Sequence, residues 1–226
     1  MKLKKRLSLN SRLYLILNKY PCLKMSLVDI FRTACKAGID LVQLRENASC
    51  DREFLEDAKA IRRLCQKSKT IFLVNNRLDI ARIVDADGLH LGQSDLPLKT
   101  ARKYLNKNKL IGITCRNLPE ARKAEAEGAD YISIGPVFPS PTKPDLEPVG
   151  LELIQKIAAK IKIPFFVIGG ITHSNINEAV KYGATRFALC GAICYARDIK
   201  KAVRELKKQI TQLYALNSGR RKNDTN

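Results

Sequence analysis

The chain is expected to fold as a single α/β domain, a parallel (β/α)₈ TIM barrel, and three observations predict it. Short apolar runs alternate eight times with stretches patterned as amphipathic helices. The passage from helix to strand repeats one grammar, in which a Gly is followed by a short hydrophobic entry. Glycines and polar residues then collect just after the apolar runs, where barrels of this kind carry their ligands.

In chain order the predicted strands are Arg12–Leu17, Leu41–Leu44, Ile71–Val74, Gly88–His90, Leu110–Ile113, Tyr131–Ile134, Phe165–Ile168 and Arg186–Leu189. Each has the length of a buried strand. Between them Leu27, Ile30, Phe31 and Ala34 recur at helical spacing. The same spacing appears in Phe54, Leu55, Ala58, Ile61 and Leu64, in Leu151, Ile154, Ile157 and Ala158, and in Ile176, Ala179 and Val180. The junctions Ala37-Gly38-Ile39-Asp40, Ala126-Glu127-Gly128-Ala129-Asp130 and Lys181-Tyr182-Gly183-Ala184 each place a Gly where a helix ends in the left-handed region. Helical crossovers between strands give a parallel sheet covered by helices. A doubly wound open sheet is the alternative. Eight units in roughly 200 residues, with no second domain, favour closure. The expected organisation is a basic leader over residues 1–11, the barrel over 12–212 and a disordered polar tail over 213–226.

Composition narrows the function classes. The chain has 226 residues and is 45% hydrophobic, enough for one sizeable core. No apolar run approaches the roughly 18 residues of a membrane span. The apolar stretch Leu13–Leu17 ends at Asn18-Lys19, too soon for a signal peptide, so a cytoplasmic protein is expected. Seven scattered cysteines without a C-x-x-C pair, with only two His, argue against zinc and for reduced thiols, most of them small core residues. The net charge of +19 suits anionic ligands. Its lysines are spread over the helices without interleaved aromatics, which argues against a nucleic-acid partner.

The strand ends carry the chemistry. After the second run come Gln43-Leu44-Arg45-Glu46-Asn47, where Arg45 can grip phosphate through its fork or pair with Glu46 at the rim. After the third come Asn75 and Asn76, amides that can ligate or hydrogen-bond; spacing alone makes Asn76 a helix cap. After the fourth, His90 reads as a hydrogen-bonded structural residue. Asp95 reads as a Mg²⁺ carboxylate or as the cap before Leu96-Pro97, and taken alone the cap is the better reading. Thr114 supplies a hydroxyl after the fifth. The long loop Gly135–Pro144 follows the sixth, and Ser140, Thr142 and Lys143 within it read as an oxyanion or phosphate clasp, against the plainer reading of a Pro-rich surface loop. Gly169-Gly170 after the seventh run and Cys190-Gly191 after the eighth stand where such barrels bind phosphate through backbone N–H groups, although glycines also serve as plain turns.

Taken together these segments resemble the thiamine-phosphate synthase family, also called thiamine-phosphate pyrophosphorylase. The likeness spans about Leu13 to Leu206 and rests on Leu13-Tyr14-Leu15, Gln43-Leu44-Arg45-Glu46, His90-Leu91-Gly92-Gln93-x-Asp95-Leu96-Pro97, Gly135-Pro136-Val137-Phe138-Pro139-x-Pro141-Thr142-Lys143 and Ile168-Gly169-Gly170-Ile171. The resemblance implies a Mg²⁺-assisted transferase of thiamine biosynthesis. It would join a hydroxymethylpyrimidine diphosphate to a thiazole phosphate, giving thiamine phosphate and diphosphate. By resemblance Arg45, Thr114 and Lys143 would be catalytic. Gln43 and Arg45 would hold the pyrimidine diphosphate together with Asn75, Thr114 and Lys143, within a binding segment that includes Leu44, Glu46 and Asn47. Ser140, Pro141 and Thr142 would lie near the thiazole phosphate, and Gly169, Gly170, Cys190 and Gly191 would bind it. Asp95 and Asn76 would form the metal site. Phosphorylated small molecules are the implied partners, and a homo-oligomer is compatible with the sequence.

Four residues depart from the family pattern. Asn47 stands for the usual Lys, Asn76 for the second Mg²⁺-binding Asp, Thr114 for Ser and Gly191 for Ser. The first two changes have opposite charge and leave the site's sum unchanged, so they are expected to compensate in a working synthase that binds Mg²⁺ less tightly. Two rivals stay open. A thiazole tautomerase of the same superfamily tends to use a His after the fifth strand, where this chain has Cys115-Arg116, and it usually lacks the Gly92-Gln93-x-Asp95 and Pro141-Thr142-Lys143 segments. A non-catalytic phosphate-binding barrel would bind ligand without releasing diphosphate.

Overall fold

The computed structural model describes residues 3–19, 25–45, 50–140 and 144–223. The chain runs α1 (Leu3–Asn10), β1 (Leu13–Leu17), α2 (Leu27–Lys36), β2 (Leu41–Leu44), α3 (Asp51–Ser68), β3 (Ile71–Asn75), α4 (Leu78–Ile83), β4 (Gly88–Leu91), α5 (Leu98–Tyr104), β5 (Leu110–Cys115), α6 (Leu118–Ala126), β6 (Tyr131–Ile134), α7 (Glu152–Lys160), β7 (Phe165–Ile168), α8 (Ile176–Lys181), β8 (Phe187–Leu189), α9 (Gly191–Cys194) and α10 (Ile199–Asn223). All eight strands are parallel and neighbour one another in sequence order. The cylinder closes where β1 meets β8, Leu13 opposite Phe187 and Leu15 opposite Leu189. The expected barrel is therefore present, with strand limits within two residues of those read from the sequence.

Alternation along each strand divides the apolar residues between two clusters. Leu13, Leu15, Val42, Leu44, Phe72 and Val74 point outward and pack under the helices. Tyr14, Leu41, Ile71, Leu73, Leu110, Tyr131 and Phe166 fill the barrel itself. Glycines make room for the largest of these. A Cβ on Gly112 would lie 2.0 Å from Tyr131 Cζ, and one on Gly88 would lie 2.3 Å from the Leu110 carbonyl.

The strand entrances are tied by three aspartates. Asp40 Oδ2 accepts from the backbone N–H groups of Arg12 and Leu13, both at 2.9 Å. Asp87 Oδ2 accepts from Phe72 N–H at 2.9 Å and Asp130 Oδ2 from Ile111 N–H at 2.8 Å. Each of these residues precedes an even-numbered strand and satisfies donors at the start of the odd-numbered strand before it, which the ladder alone leaves open. The Gly that precedes two of them, Gly38 and Gly128, has φ of 101° and 89°, the left-handed turn the junction requires.

Both ends of the chain differ from expectation. Residues 3–10 of the expected leader form α1, and its Leu7 is 1% exposed within the interior cluster, stoppering the barrel floor. Lys4 adds an ion pair with buried Asp130 at 2.6 Å. A short basic segment with few apolar residues reads as a leader; Leu7 aimed into the barrel end, with Leu3 packed beside the same cluster, docks it. The expected disordered tail is likewise helical as far as Asn223, as a continuation of α10. Leu213 packs against the core and the Arg12 guanidinium lies over the Tyr214 ring. Of the described cysteines, Cys65, Cys115 and Cys194 are buried, Cys35 and Cys190 half-buried, and Cys50 exposed. Among the described residues no helix is long and apolar enough to cross a membrane.

Candidate active site

A cavity of about 750 Å³ opens at the C-terminal ends of the strands. Gln43, Arg45, Asn75, Asn76, Asp95, Thr114, Ser140, Gly169, Gly170, Cys190 and Gly191 all line it, so residues from the ends of seven strands and the loops after them meet in one space. Leu44 does not. Its side chain is fully buried in the outer cluster, because alternation turns it away when Gln43 points inward. Glu46, Asn47, Pro141, Thr142 and Lys143 lie outside the described residues.

One wall is built by backbone. Gly169 and Gly170 follow β7 with φ of 94° and 63°. A Cβ on Gly170 would stand 2.3 Å from the Pro139 carbonyl, and one on Gly169 2.4 Å from Pro136 Cα. The loop after β6 therefore lies directly on these glycines, and Val137 and Phe138 donate to the Ile168 and Gly169 carbonyls. Asn175 pins the same turn by donating to Gly170 O at 2.8 Å while accepting from Thr172 N–H. Cys190 and Gly191 open α9 on the adjacent strand end.

The opposite wall is built by side chains. Asp95 is the one carboxylate among the described lining residues. Its Oδ2 accepts from Gly92 N–H at 2.7 Å, and its Oδ1 accepts from Asn76 Nδ2 at 3.3 Å. Asn75 in turn donates to Asn76 Oδ1 at 2.6 Å. The cap readings fail for both residues: α4 is preceded by Arg77 and α5 by Pro97, neither receiving a side-chain cap from Asn76 or Asp95. Asn76 instead has φ of 41° and turns its amide across to Asp95. Asp95 closes its own turn back to Gly92.

Arg45 reaches the cavity from β2, and no ion pair involves it among the described residues. Arg116 is a second lining cation, which sequence reasoning did not place in the site. Its backbone N–H donates to Glu120 Oε2 at 2.7 Å, locking it to the start of α6, whose Asn117 cap accepts from Glu120 N–H. Its Nη2 donates to the Glu147 carbonyl at 2.8 Å, while Nη1 is buried with no partner among the described residues. The signal for it was its position, two residues past Thr114 at a strand end.

His90 is buried, with Nδ1 2.8 Å from Tyr131 Oη and Nε2 2.8 Å from Thr114 Oγ1. It is hydrogen-bonded as expected, and it also lines the cavity. Burial raises the Tyr14 and Tyr131 phenols well above their ordinary range, so both stay protonated.

The matching family model is that of thiamine monophosphate synthase, over residues 13–193. The chain belongs to the thiamine-phosphate synthase family. A synthase of Halalkalibacterium halodurans is 42% identical over 190 residues, covering 84% of this chain and 90% of that protein. One from Syntrophomonas wolfei is 43% identical over 196 residues, covering 86% and 94%. Some relatives are longer: against the Thermosynechococcus vestitus synthase, 43% identical, the chain spans 53% of the protein. The solved thiamine phosphate pyrophosphorylase from Pyrococcus furiosus superposes with a TM-score of 0.83 at 36% identity, covering 93% of this chain and 98% of that one.

Proposed function

We propose that this member of the thiamine-phosphate synthase family condenses hydroxymethylpyrimidine diphosphate with thiazole phosphate, releasing diphosphate and forming thiamine phosphate. The observation that carries the reading is one cavity lined by the Gly170 and Gly191 backbone, by the cations Arg45 and Arg116, and by the Asp95–Asn76 pair. The reaction breaks the bond between the pyrimidine methylene and the diphosphate oxygen, whose electron pair leaves with diphosphate. The thiazole nitrogen's lone pair then forms the new C–N bond. Such a dissociative step is accelerated chiefly by stabilising charge on the leaving group in a pre-set site.

The guanidinium of Arg45 suits the diphosphate, and the Nη1 of Arg116, which has no partner among the described residues, supplies a further donor. Thr114 and Gln43 flank the ring. Backbone N–H groups at Gly170 and Gly191 hold the thiazole phosphate, beside Ser140. The donor set fits Mg²⁺, which takes one or two carboxylates and completes its shell with substrate phosphates and water. Asp95, with the amide of Asn76, would hold the ion, which when bound offsets charge on the departing diphosphate. A single carboxylate among the described lining residues implies weaker binding than a pair would give. Lys143 and Thr142 complete the proposed clasp, and phosphorylated substrates of this kind suit a cytoplasmic enzyme.

The tautomerase reading is weakened by a specific feature. A tautomerase tends to use a His after the fifth strand, and the side chains at the end of β5 here are Cys115 and Arg116. Burial and then Glu120 push the Cys115 thiol up to about 12, and it faces away from the cavity. The deciding experiment mixes the purified protein with both substrates and Mg²⁺. Thiamine phosphate and diphosphate should appear in equal amounts. Binding without diphosphate release would mark a non-catalytic barrel, and turnover of thiazole alone would mark a tautomerase.

A further inference from the structure

One continuous chain of hydrogen bonds crosses the barrel interior from β2 to β5. Gln43 Nε2 donates to Tyr14 Oη at 2.5 Å. Tyr14 Oη and Tyr131 Oη are 3.0 Å apart. Tyr131 Oη is 2.8 Å from His90 Nδ1, and His90 Nε2 is 2.8 Å from Thr114 Oγ1. Ser133 Oγ stands beside this end, 3.2 Å from Thr114 Oγ1 and 3.4 Å from Nε2. Gln43, Tyr14, His90, Thr114 and Ser133 all touch the cavity floor, Tyr131 lies beneath them, and Tyr14, Tyr131 and His90 are buried.

Each link carries one proton, so the direction of one bond fixes the next. An amide nitrogen can only donate. The other group at Tyr14 Oη is Tyr131 Oη, so the buried Tyr14 proton is satisfied by going to Tyr131, and Tyr131 then gives its proton to His90 Nδ1. The imidazole proton then sits on Nε2 and goes to the Thr114–Ser133 pair. One hydroxyl proton bridges that pair and the other is left for the cavity. Gln43 Oε1 is left for the cavity as an acceptor. Turning the Gln43 amide over would reverse every link together, offering an N–H at β2 and an acceptor at β5. Reversing any single link would set two donors or two acceptors face to face in a buried site, which is costly.

We propose that this chain couples the two cavity walls, so that the site selects a ring carrying an N–H donor toward Gln43 and a lone pair on the opposite side toward Thr114. A 4-aminopyrimidine has that pattern across its C4 and N1 positions. A 4-oxopyrimidine in its N1–H form has the reverse and demands inversion of the whole chain. Tyr14, Tyr131 and His90 are positioning residues in this scheme. The inference rests on the proposed condensation, and it adds the basis of discrimination between two rings of nearly equal shape.

The test compares kcat/KM for the 4-amino and 4-oxo pyrimidine diphosphates in wild type, Tyr131→Phe and Tyr14→Phe, either variant cutting the chain. Wild type should prefer the amino ring by about 100-fold or more, since a site built around a hydrogen-bond pattern rejects the wrong one strongly. In a folded variant that preference should fall by about tenfold or more, mainly through KM. ¹⁵N spectra of histidine-labelled protein, with His173→Gln to leave one ring, should show the Nε2–H tautomer in wild type and a mixture once Tyr131 loses its hydroxyl. An Nδ1–H ring in the unliganded wild type, or an amino preference unchanged in both variants, overturns the proposal. The tautomer and the calorimetric affinities of the two diphosphates need no turnover, so they decide the coupling even if thiamine phosphate is not formed and the condensation reading falls.

Discussion

Replacing Asn76 by Asp tests the metal site at its weakest point. The two side chains are isosteric, and Asp tolerates the left-handed backbone at φ 41° nearly as well as Asn. In the native site Asn76 Nδ2 donates to Asp95 Oδ1 at 3.3 Å. The variant sets two carboxylate oxygens at about that separation. Coulomb's law then gives ~1 kcal/mol of repulsion at the permittivity of water and ~5 kcal/mol at an effective value near 20. Asn76 is exposed and Asp95 half-buried, so the lower end, ~1–2 kcal/mol, applies. Without divalent cation the variant should melt about 2–6 °C lower. Bound Mg²⁺ removes that repulsion and gains an anionic ligand, so the Mg²⁺ concentration for half-maximal rate should fall about tenfold. Initial rates across a Mg²⁺ titration, with melting curves in chelator and in Mg²⁺, read both effects. An unchanged Mg²⁺ requirement together with an unchanged metal-free melting temperature would refute the placement of these two residues at one ion.

Gly170→Ala should cost more than Gly128→Ala. Both sit at positive φ, worth about 1–2 kcal/mol for Ala, but a methyl on Gly170 also strikes the Pro139 carbonyl while Gly128 has nothing within 4 Å. Only the former should raise KM for the thiazole phosphate, by about tenfold or more in steady-state assays. Arg116→Ala should lower kcat/KM for the pyrimidine diphosphate by roughly 10–100-fold while leaving the melting temperature nearly unchanged, since losing the Nη2 bond to the exposed Glu147 carbonyl is offset by removing the buried Nη1, which has no partner among the described residues. Leu7→Ala should destabilise the fold by about 2–4 kcal/mol in urea titrations if α1 stoppers the barrel, and by a few tenths if it is a loose leader. Cys115 gives an alkaline signature. Its folded thiol is raised to about 12 from an ordinary 9.0, so its contribution to stability is complete below pH 9 and fades as pH climbs toward 12. Cys115→Val should lessen the fall in denaturation midpoint between pH 8 and 10.5.

The strands were legible because each is an apolar run of nearly fixed length, and Leu41–Leu44, Tyr131–Ile134 and Phe165–Ile168 agree with the sequence reading residue for residue. The cavity lining was legible wherever a residue stood directly at a strand end, as with Arg45 and the Gly169-Gly170 pair, because that position alone brings it to the rim. It was not legible where function depends on direction. Leu44 lies between two residues of the binding segment, yet the pleat turns it outward. Asn76 and Asp95 each precede a helix as a cap would, but their side chains turn to one another across two loops. Arg116 follows a buried Cys and carried no motif, so its arrival in the cavity depends on the Glu120 cap that holds it.

By itself the sequence determined the number and order of strands, the Gly turns between helix and strand, and the segments that meet at the rim. These follow from local periodicity and backbone preference, which a few neighbouring residues settle. Only the tertiary structure decided that α1 closes the floor, that α10 continues through residues once expected to be tail, and that Gln43, Tyr14, Tyr131, His90 and Thr114 join in one buried chain. The links of that buried chain join residues up to 117 positions apart. They exist only once the barrel has closed, because the inward direction of every second residue has no common centre until β8 meets β1.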